Sequence, residues 1–183
     1  MASINIAGDT SGSISLTVPS VAGTNTVTIP ANSGVVMVSG NMPAFSVYLS
    51  TSQSISSTVL TKVAYDTKVF DTASCFNTST NRFTPNVAGY YQLNGYVNGS
   101  ASSMSAIYPA IYKNGTIYQY GQALNTTSST ITGSTGVQIN TVVYMNGSTD
   151  YVEIYGFIAG GSPTFNGGAG TITWFNGSLV RAA

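Results

Sequence analysis

The chain has 183 residues, with five Lys and Arg against five Asp and Glu, no His and one Cys. Charged residues make up only 5% of it, whereas a typical soluble domain carries about 25%. A net charge of zero with five basic residues excludes the electrostatic attraction that dominates nucleic-acid binding, and it argues against anionic membrane surfaces. A single Cys forms no intrachain disulfide, which excludes a disulfide-stabilised secreted module.

The composition supports a folded core, because 43% of the residues are hydrophobic and 11% are aromatic. No membrane insertion is expected, since the longest aliphatic run, Val35–Val38, is far shorter than the roughly 20 residues of a membrane helix. The first nine residues have neither the basic nor the apolar region of a secretory signal, so we expect none. The length allows one domain with an appendage.

The first predicted unit is a β-rich arm or stem over residues 1–42. Thr, Val, Ile and Tyr abound in the chain while helix-favouring residues are sparse. Within the arm, Leu16–Pro19 and Val27–Pro30 repeat at a spacing of 11 residues. Because so short a repeat buries a core only against copies of itself, we predict an attachment or trimerisation segment. A flexible linker is the alternative.

Aromatic residues begin at Phe45, directly after Asn41-Met42-Pro43, so we predict a second domain over residues 43–183. Alternating apolar and polar residues between turn signals predict an all-β sandwich or barrel there. Asn-Gly pairs at 114–115 and 146–147 predict hairpin turns, and Asn94-Gly95 within a strand predicts a bulge. The predicted strands are Ala44–Leu49, Thr58–Tyr65, Arg82–Thr84, Gly89–Val97, Ala106–Lys113, Thr116–Leu124, Gly136–Met145, Tyr151–Ala159 and Thr171–Leu179.

Both faces of these strands are hydrophobic, since Tyr91 and Leu93 alternate with Tyr90, and Ile117 with Tyr118. Tyrosine combines an apolar ring with a polar hydroxyl and is enriched at protein interfaces. We therefore predict that one tyrosine face is buried between subunits. A register shifted by bulges, with some tyrosines in the core, is the alternative. The predicted interface residues are Tyr90, Tyr96, Tyr108, Tyr112, Tyr118, Tyr120, Tyr144 and Tyr155.

Four segments resemble the C1q-like globular domain. Pro43–Leu49 is similar to the opening strand of that family, and Phe83–Tyr91 to its central F-x-P-x-x-G-x-Y motif with one extra residue. Asp150–Ile154 resembles the penultimate strand and Thr173–Leu179 the closing one. The resemblance implies an antiparallel C1q/TNF-like jelly-roll sandwich that forms a homotrimer through one sheet.

A second resemblance lies in the arm. Ala22–Pro30 followed by Ser33–Val36 is similar to short repeats in fibre and appendage proteins of tailed bacteriophages, notably phages of marine cyanobacteria. In those proteins the repeats often lead into a C1q-like head beginning Met-Pro-Ala-Phe, as at Met42–Phe45. Animal C1q-like proteins carry a signal peptide and a collagenous stalk, neither of which we expect here. The resemblance implies a virion protein made in the host cytoplasm.

Few residues offer catalytic chemistry. The absence of His excludes the Ser-His-Asp and Cys-His mechanisms, and Cys75 is expected to be a small buried residue. A two-carboxylate glycosidase would need distant residues, such as Asp66 or Asp71 with Glu153. We expect no enzymatic activity, no catalytic or cofactor-binding residues and no cofactor. An oxygen-ligated Ca²⁺ ion stays open, without assigned ligands.

The Gly-rich stretch over residues 160–170 is predicted to be a mobile loop between the last two strands. A tip that contacts a partner is one interpretation, and a tolerated surface loop without a binding role is the alternative. The residues named for that contact are Gly160, Gly161, Ser162, Pro163, Phe165 and Asn166.

These patterns predict a non-enzymatic structural protein of a bacteriophage virion: a tail fibre, knob or capsid decoration protein. It would be a homotrimer anchored to other virion proteins through its arm. The alternative is a host-attachment module whose C-terminal domain recognises a host surface glycan or protein.

Overall fold

The regular elements that the structure describes in full are all β-strands. The computed structural model describes residues 3–21, 23–28, 31, 36–38, 40, 42–127, 129–170 and 172–183. Contacts divide the chain into units at residues 1–34 and 35–183. None of the described residues forms a helix long and apolar enough to cross a membrane.

The strands fall in this order: β1 (Ser3–Ala7), β2 (Ser13–Thr17), β3 (Ala44–Tyr48), β4 (Gln53–Ser54), β5 (Thr61–Lys62), β6 (Thr67–Asp71), β7 (Phe76–Asn77), β8 (Arg82–Phe83), β9 (Gly89–Lys113), β10 (Thr116–Tyr120), β11 (Leu124–Asn125), β12 (Thr135–Met145), β13 (Val152–Phe165) and β14 (Trp174–Ala182).

The first unit contains an antiparallel hairpin of β1 and β2. Ile4 pairs with Leu16 and Ile6 with Ile14, so the four side chains share one face of the hairpin. They are between 53% and 69% exposed. The alternation at Ile14 and Leu16 therefore marks a real strand, and its aliphatic face is uncovered within this unit.

The second copy of the 11-residue repeat differs from the first. Val27 and Thr28 have irregular backbone, and Val27 is 89% exposed, so the repeat does not form a second strand at these two residues. Ile29, Pro30, residues 32–35 and Asn41 lie outside the described residues.

In the second unit, β9 runs through two sheets. Its first half pairs with β12 and β14, giving a first sheet ordered β6-β3-β14-β9-β12. Its second half pairs with β13, β10 and β11, and β13 also pairs with β4, β5 and β8, giving a second sheet. Ser103, with φ of 50°, lies between the halves. The strands predicted at Gly89–Val97 and Ala106–Lys113 are thus parts of one strand.

The two sheets pack face to face. Leu93 and Val97 of the first half and Ile107 and Ile111 of the second are all 0% exposed. A Cβ atom on Gly95 would lie 3.1 Å from Ile139 of the first sheet and 3.1 Å from Ile154 of the second. Glycine is needed there for this close approach, and pairing continues through it without a register shift, so the predicted bulge is wrong.

Aromatic rings fill one part of the core. Phe45 lies 4.2 Å from Phe83 and 4.9 Å from Phe175 between ring centroids, which joins β3, β8 and β14. Such pairs contribute about 0.5–1.5 kcal/mol beyond their buried area. Cys75 packs in the same core at 6% exposure, as expected, and burial raises the pKa of its thiol.

The two Asn-Gly turns differ. Asn114 and Gly115 have φ of 53° and 79° and join β9 to β10 in the predicted hairpin. Asn146 and Gly147 join β12 to β13, which are not paired because they flank different halves of β9. The second hairpin prediction is therefore wrong. The sequence pattern also missed β6 and extended β5 to Thr58–Tyr65.

Asp71 closes the turn after β6. Its carboxylate accepts hydrogen bonds from the backbone N–H of Cys75 at 2.8 Å and of Phe76 at 3.0 Å, and from Lys68 Nζ at 2.8 Å. Burial alone would raise the pKa of Asp71, but the hydrogen bonds from Lys68 and the two backbone groups outweigh it and lower the pKa. The ionised form is therefore favoured by folding.

We expect Asp71→Asn to lower the free energy of unfolding at pH 7 by about 1–3 kcal/mol, because an amide cannot replace three acceptor contacts of a carboxylate. In the native protein this stabilisation is complete above the unfolded pKa of about 3.9 and is lost as pH falls through the lower folded value. Denaturant unfolding at fixed protein concentration between pH 7 and 2.5 measures the stability lost in the variant and the pH dependence of the native protein. Asp9→Asn, in the exposed arm turn, is the control; equal stability of the two variants at pH 7 would contradict this role.

Candidate functional site

The predicted interface tyrosines lie on two surfaces, not one. Tyr90, Tyr96 and Tyr144 point outward from the first sheet, whereas Tyr108 and Tyr155 belong to the second. Because the two sheets face each other across the core, their outer surfaces point in opposite directions. The prediction of a single tyrosine face is therefore wrong, because β9 passes from the first sheet to the second between Tyr96 and Tyr108. None of the eight tyrosines is buried, so the alternative of a shifted register with tyrosines in the core is not observed.

The outer surface of β14, β9 and β12 is called the first-sheet face. Three neighbouring rows of cross-strand partners form its centre, and none of their side chains is charged. Arg181, the cross-strand partner of Tyr90, lies at one end of the face. Asn94 Nδ2 donates to Asn176 Oδ1 at 3.0 Å, and Gln92 Nε2 donates to Asn94 Oδ1 at 3.1 Å. The rows are Trp174–Tyr96–Gln138, Asn176–Asn94–Asn140 and Ser178–Gln92–Val142.

Aromatic pairs lie at both ends of the first-sheet face. Tyr90 and Tyr144 are cross-strand partners with ring centroids 5.5 Å apart in an edge-to-face arrangement. Tyr96 stacks on Trp174 at 6.0 Å. Between these two aromatic pairs, the centre of the first-sheet face is an uncharged surface, mostly of amides and hydroxyls, and Arg181 lies beside Tyr90 at its end.

The outer surface of the second sheet is called the aromatic face. Tyr112 stacks on Tyr155 with centroids 3.9 Å apart, and Tyr108 stacks on Phe157 at 4.5 Å. Tyr120 meets Tyr108 edge-on at 5.8 Å. Burial raises the pKa of Tyr108, Tyr112 and Tyr155, so all three hydroxyls stay protonated at neutral pH.

An open depression of about 240 Å³ adjoins the aromatic face. It is lined by Tyr108, Tyr120, Gly121, Ala123 and Asn125.

Ile117 lies on the aromatic face, contrary to the aliphatic side predicted for it. Ile117 pairs with Tyr112 and Gln119 with Ile111, so the register shifts at Tyr118. The extra residue reverses the alternation of β10. Ile117 is 39% exposed as a result, and Tyr118 is 47% exposed.

A buried carboxylate lies at the edge of the aromatic face. Glu153 Oε1 is 2.9 Å from Arg82 Nε and 3.1 Å from Lys62 Nζ, and its side chain is only 2% exposed. Arg82 Cζ lies 3.9 Å from the ring centroid of Tyr151. The hydrogen bond with Glu153 raises the pKa of the Arg82 guanidinium. These contacts hold β5 and β8 against β13, directly beside Tyr112, the cross-strand partner of Glu153.

Each carboxylate considered for a glycosidase has a structural role. Glu153 is held by two cations, and Asp71 closes its turn. Asp66 accepts hydrogen bonds from the N–H and hydroxyl of Ser50 at 2.9 and 2.8 Å. Within the described residues no group of three or more His, Cys, Asp or Glu could hold a metal. The Ca²⁺ expectation stays a prediction without a position.

The predicted partner loop is largely a strand, because β13 extends to Phe165 and pairs with β9. Pro163 and Phe165 are buried. A Cβ atom on Gly160 would lie 2.7 Å from Ala101, and one on Gly161 would lie 2.4 Å from Ser102 Oγ. These glycines thus reflect close strand packing, and the loop assignment is wrong for residues 160–165.

Two predicted contact residues of this segment, Gly161 and Ser162, remain exposed. Asn166 follows the strand and donates through Nδ2 to Asn98 Oδ1 at 2.7 Å, so it is tied to the first sheet. Contact of this segment with a partner stays a prediction.

The sequence pattern missed several residues of both faces. Phe157 and Trp174 could have been found, because Phe157 lies two residues after Tyr155 and Trp174 alternates with the inward Phe175. Lys62 and Arg82 gave no usable signal, since each lies in a two-residue strand whose partner only the fold determines.

Comparison with solved structures shows a C1q/TNF-type jelly roll, as the sequence resemblance implied. The globular domain of zebrafish complement 1qA has a TM-score of 0.55 and 19% identity, over 77% of this chain and 99% of that chain. Eiger TNF from S. frugiperda has a TM-score of 0.61 and 8% identity, over 78% and 95%. Murine APRIL has a TM-score of 0.57 and 9% identity, over 76% and 99%. No protein-family model and no curated protein matches the chain.

We expect Glu153→Gln to lower the free energy of unfolding by about 1–3 kcal/mol, because it leaves Lys62 and Arg82 without their shared counter-charge. Lys62→Gln should cost less, since the Arg82–Glu153 pair survives. Chemical denaturation of both variants at fixed protein concentration measures the difference. A Lys62→Gln variant less stable than Glu153→Gln would contradict this description of the cluster.

Proposed function

We propose that this chain is a non-enzymatic structural protein of a bacteriophage particle, a homotrimeric knob anchored to other virion proteins by its N-terminal arm. The observation that carries the trimer is the centre of the first-sheet face, where three neighbouring rows hold no charged side chain. The resemblance of the arm to phage appendage repeats supports the virion setting, and thereby a fibre, knob or capsid decoration role.

The trimer is supported by the chemistry of the first-sheet face. A solvated sheet face normally carries charged side chains throughout, whereas the centre of this one carries mostly amides and hydroxyls between two aromatic pairs, with Arg181 at one end. Cores of protein interfaces are depleted in charge and enriched in aromatic residues. Tyr90, Tyr96 and Tyr144 therefore remain candidates for the subunit interface, while the tyrosines of the second sheet lie on the opposite surface.

Anchoring by the arm is supported by the β1–β2 hairpin. An isolated two-stranded hairpin is marginally stable in water, and this one exposes Ile4, Ile6, Ile14 and Leu16 on one face. Contiguous exposed apolar side chains of this kind mark protein-protein contacts. Covering that face with another virion protein, or with the arms of other subunits, would stabilise it.

A non-enzymatic role is supported by the same carboxylates that sequence analysis considered for hydrolysis. Glu153 is sequestered between Lys62 and Arg82, and Asp66 and Asp71 hold turns. None of the three therefore has the free, substrate-facing position that a glycosidase requires.

We expect Asn94→Asp to dissociate the trimer, because it introduces three carboxylates into the central rows of the interface, which hold no cation to pair with them. Sedimentation velocity at micromolar protein concentration should show a native trimer and a largely monomeric variant. Asn125→Asp makes the same substitution on the exposed β11 and should leave the trimer intact. Native protein that sediments as a monomer would overturn the trimer proposal.

Deleting residues 1–34 should abolish incorporation into particles while the remaining domain keeps its fold and its oligomeric state. The deletion stops there because Met37 packs against the core of the second unit. Incorporation is measured by complementing particles that lack the protein and probing purified particles. Normal incorporation of the truncated chain would refute anchoring by the arm.

The second candidate function is host attachment, in which the knob recognises a surface glycan or protein. It is favoured by the aromatic face and its depression, which lie on the side of the sandwich opposite the first-sheet face.

A further inference from the structure

The aromatic face and the Lys62–Glu153–Arg82 cluster form one continuous surface. Tyr155 is the cross-strand partner of Lys62, and Glu153 is the partner of Tyr112. Moving from β8 across β13 and β9 to β10, the surface extends about 14 Å at ordinary strand spacing. Cations lie at one end, stacked rings in the middle, and the depression beside Tyr120 at the other end.

We propose that this surface binds a saccharide chain that carries carboxylate groups. This proposal rests on host attachment, the second candidate function, and specifies the class of ligand that would be bound. It does not depend on the trimer. The ring faces would pack against the C–H faces of sugar rings, and the cations would bind the carboxylate of an acidic sugar unit.

The aromatic part suits sugars because its residues are amphipathic. Tyrosine rings offer apolar surface, and their hydroxyls, protonated at neutral pH, can donate and accept hydrogen bonds. Tyr120 is 54% exposed, so an additional ring can lie against it. A purely aliphatic partner would leave these hydroxyls without hydrogen bonds, which is costly.

The cationic part selects for a carboxylate. Lys62 and Arg82 share the single charge of Glu153, so the cluster carries a net charge of +1. Glu153 occupies only Nε of Arg82, and the four terminal N–H donors of the guanidinium make no hydrogen bond to any described residue. That planar group binds carboxylates with two parallel hydrogen bonds.

Charge also argues against a second copy of this chain as the occupant. A twofold contact between two aromatic faces would bring together two clusters of the same net charge. A polyanion such as a nucleic acid would need many more cations than the two present. An acidic saccharide, with one carboxylate for several apolar ring faces, matches both parts of the surface.

The test is isothermal titration of the full-length chain with tetragalacturonate and with its fully methyl-esterified form, at low and at physiological salt. The two probes have the same sugar rings, and the ester replaces each ionised carboxylate with a neutral methyl ester. We expect the acidic probe to bind at least tenfold more tightly than the ester, with affinity falling as salt rises.

Variants locate the site. Arg82→Gln and Tyr120→Ala should each weaken binding by tenfold or more, and Glu153→Gln should strengthen it several-fold, because it frees both cations. Arg181→Gln removes an exposed cation beside Tyr90 on the opposite, first-sheet face and should leave saccharide binding unchanged. Circular dichroism and sedimentation confirm that each variant is folded and keeps its oligomeric state; where Glu153→Gln does not fold, Arg82→Gln and Tyr120→Ala decide.

No binding of the acidic probe, equal binding of the ester, or an equal loss in Arg181→Gln and Arg82→Gln would overturn the site. If any of these results is found while the native protein is a trimer, the saccharide site is refuted and the structural role stands. If the native protein is a monomer but shows the expected binding pattern, the trimer is refuted and the saccharide site stands.

Discussion

The organisation of this domain depends on one strand that shows the same alternation in each of the two sheets it joins, interrupted only at the crossing around Ser103. In both halves of β9 the odd-numbered residues, such as Leu93 and Ile111, point into the core. The even-numbered residues Tyr96 and Tyr108 then point outward, but from sheets on opposite sides of the sandwich. A single period-2 pattern thereby supplies the core and two separate outer surfaces.

Periodicity and motifs predicted much of this fold, because both report local geometry. The jelly roll, the inward side of Tyr91, and the hairpin at Asn114-Gly115 are all confirmed. Gly95 and Gly160 show where such reasoning fails: glycine suggested a bulge and a mobile loop, whereas both positions are required by neighbouring side chains that only the tertiary structure brings near. The Lys62–Glu153–Arg82 cluster was out of reach for the same reason, since its members are up to 91 positions apart.

The scarcity of charge has a different meaning on each surface. On the first-sheet face it leaves three rows of uncharged side chains, a composition suited to contact with other subunits. On the aromatic face the few charges present are concentrated, with two cations around the buried Glu153. The chain has only ten charged residues, so few neighbouring charges offset the electrostatic potential of this cluster. On an ordinary charged surface the same cluster would contribute a smaller share of the potential.

Opposite placement of the two faces also affects binding strength. Three knobs joined through the first-sheet face would each keep an aromatic face directed away from the others, at fixed separation. A polymeric ligand with repeated units could then occupy two or three sites at once, and the second contact would form at the high effective concentration set by the first. Weak individual contacts would thus add up to durable adhesion that still releases and rebinds one site at a time.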